Sequence, residues 1–179
     1  TESDMPFKVL ANDFYSDGLE YLSKHKGFGG AKAIENSPSS LNRFATTCKL
    51  IKEFDFNGNV MPVNYSFDIL EKVSQPGSTQ WSIVYDLVNL KIYFRSKESD
   101  KIKNISFTNL DFDCSSQVNI FDINKDIAGN INSDLSDYSQ SINYDLIQYS
   151  FSNVDFLKGS SEEMMKSLSV YPDSFQCAK

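Results

Sequence analysis

The chain carries a single histidine, His25, which any Ser-His-Asp triad would need as its base. It stands in Lys24-His25-Lys26 beside a glycine turn. Flanking cations disfavour its protonation and nothing in the local sequence holds the ring, so it reads as a solvated loop histidine. Cys48 falls on the apolar side of a helical pattern and reads as a small core residue. Thr1 has the type of an N-terminal nucleophile, yet Thr1–Pro6 is polar and offers no strand to position it. Asp122-Ile123-Asn124-Lys125-Asp126 starts like a calcium loop and then fails at its most demanding positions. Ile127 stands where the sharp turn needs glycine, and Ser133 where a bidentate Glu belongs. No cysteine pair has CxxC spacing, and one histidine cannot build a zinc constellation. No metal and no cofactor is expected.

Arginine is the rarer base: Arg43 and Arg95 stand among 17 basic residues. Where lysine is habitual, an arginine points to a place that wants a planar fork of donors.

The elements that must position these residues show two periods. Phe7–Ala11 is a short β-type run ending at Asn12-Asp13, and Ser16-Asp17 opens a helix with Leu19 and Leu22. Gly27-Phe28-Gly29-Gly30 breaks the chain, and Asn36-Ser37-Pro38-Ser39-Ser40 forms a loop closing on a helix cap. Leu41, Phe44, Cys48 and Ile51 then mark one helical face, and 64–73 reads as another short helix. From Gln80 the period becomes two. Gln80–Leu87 puts Trp81, Ile83 and Tyr85 on one face, expected against a packed layer, and Val88-Asn89-Leu90 turns into Lys91–Arg95 as a hairpin. Ile102–Phe107 and Val118–Asp122 read as further strands, then helices carry Ile142, Leu146 and Tyr149, and Met164 and Leu168, the last opened by a Ser160-x-x-Glu163 capping box. Helices, antiparallel hairpins and helices again make an α+β class.

Composition narrows the function. With 40% hydrophobic and 23% charged residues in 179, the chain has a globular core and is no disordered tail. No apolar run reaches the length of a membrane span. A net charge of -7 argues against nucleic-acid binding. Residues 1–110 hold thirteen acids and thirteen bases, whereas 111–179 hold eleven acids and four bases. The domain division follows: 1–114 as the main body and 115–179 as an acidic extension packed on it.

Taken together, the motifs have a recognisable order. Val9-Leu10-Ala11-Asn12 is followed by Gly27-x-Gly29-Gly30, Pro38-Ser39-Ser40, Asn42-Arg43-Phe44 and Tyr93-Phe94-Arg95-Ser96. Over about residues 7–113 the chain resembles the choloylglycine hydrolase and penicillin V acylase family of linear-amide C–N hydrolases, within the N-terminal nucleophile superfamily. The resemblance implies an α/β/β/α sandwich of antiparallel sheets between helix layers, present here as its carboxy-terminal part. It also implies an N-terminal Cys nucleophile using its own α-amino group as base. Asn12 would help form the oxyanion hole, where a fixed neutral donor meets the developing charge. Arg43 would support the active centre.

The nucleophile half of that family has no counterpart in this chain. A companion N-terminal chain or segment bearing the Cys is therefore expected, with a small-molecule N-acyl amide (a bile-salt conjugate, a penicillin or another N-acyl amide) as substrate and homo-oligomerisation left open. Ala11 where the family has Thr, and Asp13-Phe14 where it often has a small residue and Pro, leave the substrate open. The alternative is a non-catalytic binding or structural domain that kept the fold. The chain begins Thr1-Glu2-Ser3-Asp4, which reads as a removed signal or the interior of a larger gene product. Cys114 and Cys177 are the disulfide candidates, since a tie would hold the acidic stretch to the body. A bridge implies a secreted or periplasmic setting, with three reduced thiols in a cytoplasmic protein as the alternative. Asn64-Tyr65-Ser66 and Asn104-Ile105-Ser106 fit glycosylation acceptors.

Overall fold

A computed structural model describes residues 5–174. The chain divides into two compact units, residues 5–105 with 123–129, and residues 106–122 with 130–174.

In the first unit, helices α1 (Tyr15–Ser23) and α2 (Ser40–Glu53) share a core of Val9, Leu22, Phe44, Ala45 and Cys48. Gly18 lets the two helices approach: a Cβ there would lie 3.1 Å from the Phe44 ring. Phe44 also meets Tyr15 edge-on at 5.8 Å. Burying Leu22, of which 1% stays exposed, contributes about 1.5–3 kcal/mol. The Ser39 hydroxyl caps α2 by accepting from Asn42 N at 3.3 Å. Phe44 and Cys48 face the core as their spacing predicts, but Ile51 is half exposed. In the same last turn the exposed Lys52 lies over the Phe28 ring and donates to Gly27 O at 2.8 Å.

Phe7–Ala11 forms no strand, with a bend at Phe7. The Tyr15 hydroxyl supplies what a ladder partner would, accepting from Phe7 N at 3.1 Å and donating to Phe7 O at 2.8 Å. Helix α3 (Pro62–Lys72) starts with proline, whose missing N–H costs nothing in a first turn, and buries Phe67.

The sheet follows the change of period. Strands β1 (Trp81–Asp86) and β2 (Lys91–Ser96) pair antiparallel, from Trp81 opposite Ser96 to Asp86 opposite Lys91. The Asp86 carboxylate closes the turn by accepting from the main-chain and side-chain nitrogens of Asn89, at 2.9 and 2.7 Å, which holds its pKa below the usual range. With β3 (Lys103–Ser106) and β5 (Gly129–Asn130) the order is β1-β2-β3-β5. Arg95, on the face of Ser82 and Val84, lies over the Phe67 ring of α3 and pairs with Glu71 at 2.7 Å. That face carries the helix. Trp81, Ile83 and Tyr85 point the other way and are 58%, 38% and 60% exposed, against the expectation of a packed layer.

In the second unit, β4 (Asn119–Ile120) pairs with β6 (Ser136–Asp137), and α4 (Gln140–Asn153) contacts α5 (Glu162–Ser169). Tyr138 Oη and Asn143 Nδ2 both donate to Ser169 O, at 2.7 and 3.0 Å. The cap of α5 is Ser161, accepting from Met164 N at 3.2 Å, not Ser160. Ser160 instead donates its hydroxyl to Leu157 O, closing the preceding turn. The Ile142, Leu146 and Tyr149 stripe of α4 is exposed.

Candidate functional site

The two residues singled out for chemistry lie together in the first unit. Asn12 sits in the exposed bend before α1, and Arg43 is half-buried near the start of α2. Arg43 Nη2 donates to Asn12 Oδ1, and its Nε donates to Pro38 O at 3.2 Å. One guanidinium thus spans the Asn12 bend and the loop before α2, using the fixed fork that distinguishes arginine from lysine. A second tie runs beside it: Asp13 N donates to Ser40 Oγ at 2.9 Å. With Oδ1 taken by Arg43, the amide nitrogen of Asn12 keeps both its N–H donors for another partner.

The helix under this cluster is anchored from behind. Tyr21 Oη donates to Asn42 Oδ1 at 2.5 Å, which lets Asn42 be buried on the α1 side while its neighbour Arg43 turns outward. Thr47 Oγ1 donates to Arg43 O at 2.9 Å, one turn on. A narrow crevice lined by Leu10, Ala11, Asp13, Phe14, Ser40 and Leu41 adjoins Asn12.

The Gly27–Gly30 loop explains why the histidine reading fails. His25 is 3% exposed, with Nδ1 donating to Tyr21 O at 2.8 Å and the ring against Tyr21 at 4.5 Å. Phe28 N and Gly30 N both donate to His25 O at 3.1 Å, so the loop folds back over the residue. Gly27 and Gly29 take the positive φ values of 87° and 108° that the turn requires. At Gly30 a Cβ would lie 2.0 Å from the Lys24 carbonyl carbon. The lysines on either side of His25 hid this burial, because local charge says nothing of a ring tucked under the following turn.

Cys48 is a free, buried thiol whose pKa burial pushes up to about 11. It is no nucleophile. Cys114 is exposed and disulfide-bonded, while Cys177, its expected partner, lies outside the described residues, as does Thr1. In the 122–134 segment Asp126 forms an ion pair with Lys101 at 2.9 Å. No group of three or more His, Cys, Asp or Glu among the described residues could hold a metal. No described helix is long and apolar enough to cross a membrane.

Sequence reasoning missed Ser40 and the Pro38 carbonyl as parts of the cluster. A serine directly after the capping Ser39 was the available signal: it cannot cap the same helix, so its hydroxyl is free to hold another segment.

These helices and antiparallel strands form a mixed α+β fold of the penicillin V acylase type. A penicillin V acylase from Agrobacterium tumefaciens is similar over 72% of this chain, with a TM-score of 0.60 and 17% sequence identity. The match covers 46% of that acylase chain, so this chain spans about half its length. No protein-family model matches the sequence, and no curated protein matches it.

Proposed function

We propose that this chain is the carboxy-terminal part of a cysteine-nucleophile amidohydrolase that cleaves the linear amide bond of an N-acyl compound, such as a bile-salt conjugate, a penicillin or another N-acyl amide. The observation that carries the reading is the hydrogen bond from Arg43 to Asn12, residues 31 positions apart. The acylase-type fold supports it. In this reading residues 1–114 are the acylase part, built as the carboxy-terminal portion of an α/β/β/α sandwich, and 115–179 are an acidic extension.

The chemistry assigns a distinct role to each residue. A thiolate from the companion segment attacks the amide carbonyl, and the carbonyl oxygen gains negative charge. The Asn12 amide N–H meets that oxygen. Arg43 is a positioning residue: by holding Oδ1 it aims the nitrogen at the oxyanion. The tetrahedral adduct then expels the amine, which takes the proton that the α-amino group of the Cys removed from the thiol, and water hydrolyses the thioester to release the acid and restore the thiol. The substrate enters beside the crevice at Leu10, Asp13 and Ser40.

Mass spectrometry of the native material tests this reading by looking for a companion polypeptide that begins with Cys. Expected are that polypeptide and amidase activity on a panel of N-acyl amides. Its absence together with an inactive native preparation assigns the chain to the alternative, a binding or structural domain that kept the fold.

A further inference from the structure

The free edge of β1 has the properties of a self-pairing strand, and we infer that it joins β1 of a second copy of this chain, antiparallel about a two-fold axis through Ile83. The inference rests on the main chain and side chains of residues 80–97, and the companion segment of the proposed function is its competitor for the same edge.

The first observation is the direction of the main-chain groups. β1 ends the sheet order β1-β2-β3-β5, so one of its edges has no strand partner among the described residues. One pair beyond Trp81–Ser96, Lys97 N donates to Gln80 O at 2.8 Å. In an antiparallel ladder hydrogen-bonded pairs alternate with non-bonded ones. Residues 80, 82, 84 and 86 therefore bond to β2, and Trp81, Ile83 and Tyr85 turn their N–H and C=O groups to the free edge. A two-fold at Ile83 places Trp81 opposite Tyr85 of the second copy, Ile83 opposite Ile83, and Tyr85 opposite Trp81. All three are outward-bonding residues, so the register satisfies both strands at once.

The second observation is that the side chains match in this register. On the exposed face, where the three side chains are 38% to 60% exposed, it makes two Trp–Tyr cross-strand pairs flanking an Ile–Ile pair. On the helix-bearing face Ser82 meets Val84. Asp86 falls opposite the neutral Gln80 of the second copy, in a row that runs from Lys91 across Asp86 and Gln80 to Lys97. Each copy's Asp86 thus lies between its own Lys91 and a neutral side chain, and no like charges oppose each other. Edge strands that must stay single are usually guarded by lysine, proline or a bulge. Trp81–Tyr85 contains none of these.

The experiment is sedimentation of the full chain across a dilution series, read together with hydrogen exchange. Expected is twice the monomer mass, with the amides of Trp81, Ile83 and Tyr85 protected and their protection lost on dilution. Ile83→Lys sets two ammonium groups face to face at the axis and should halve the mass while leaving far-UV circular dichroism unchanged. Ile83→Pro removes an edge N–H that β2 does not use and should also halve it, so the proposal does not hang on one variant. Monomer mass at every concentration overturns it, as does a dimer that survives both substitutions. A native particle holding one copy plus a different polypeptide that protects the three amides also overturns it, and gives the edge to that companion.

Discussion

Arg43 donates to Oδ1 of Asn12 while its Nε holds the carbonyl of Pro38, so a single guanidinium sets the direction of an amide on another segment. The consequence is measurable. Under the proposed function, Asn12→Ala in the native material should lower kcat on N-acyl amides by roughly 10²–10³, the scale of one lost oxyanion donor. Arg43→Ala should act through the same group, so the double variant falls little below Asn12→Ala alone. Arg43→Lys keeps the charge but loses the fork, and should recover only part of the rate. Steady-state kinetics on the four variants and the native protein checks this. Losses that simply multiply mean that Arg43 does not work through Asn12.

The glycine loop separates two kinds of constraint. Gly30→Ala should destabilise the first unit by about 2 kcal/mol or more, because its Cβ meets Lys24 main chain, which has nowhere to go. Gly27→Ala meets no atom within 4 Å and suffers only its positive φ, so it should cost about 1 kcal/mol. Urea unfolding gives both values. Equal costs would show that sterics at Gly30 are not what closes the loop over His25.

How much of this was open to sequence reading differs by element. The hairpin was legible because alternation and turn chemistry are local: Asp86, Asn89 and the strands carry their own signals. α2 was legible from the spacing of Phe44 and Cys48. The absence of a strand at Phe7–Ala11 was not, since it depends on a hydroxyl from Tyr15 one helix entry away. Nor was the exposure of Trp81, Ile83 and Tyr85, because alternation assigns residues to faces without saying which face a layer covers. At the site, Asn12 and Arg43 came from a motif series, whereas the Ser40 tie and the carbonyl of Pro38 depend on how two loops meet.

The thiol of Cys48 makes stability depend on alkaline pH. In the folded chain its pKa is raised to about 11, and on unfolding it returns to its ordinary value near 9.0. Through this group the folded state holds more protons than the unfolded one between those values. Its contribution is therefore fully present below pH 9 and lost as pH rises toward 11. Denaturant midpoints over that window should fall with pH, and Cys48→Ala should flatten the fall while costing stability at neutral pH. A slope unchanged in Cys48→Ala would assign the loss to other groups.

Cys114 is disulfide-bonded and Cys48 is free and buried, and we propose Cys177 as the partner of Cys114. The bridge would close a loop of the acidic residues that follow, where α4 leaves Ile142, Leu146 and Tyr149 exposed and little apolar burial holds the chain. Closing so long a loop restricts the unfolded chain and is worth about 4 kcal/mol where geometry permits. Such a bond persists in an oxidising compartment, and we propose a secreted or periplasmic setting on that ground. Of the two glycosylation acceptors, Asn64 is exposed on α3, whereas Asn104 lies in β3 and is half-buried, so only Asn64 is presented for modification. Thiol titration of the unreduced, denatured protein should count one free thiol, and peptide mapping should join Cys114 to Cys177. Reduction should lower the unfolding free energy by an amount near that loop term. Three titratable thiols in native material would remove both the bridge and the extracytoplasmic assignment.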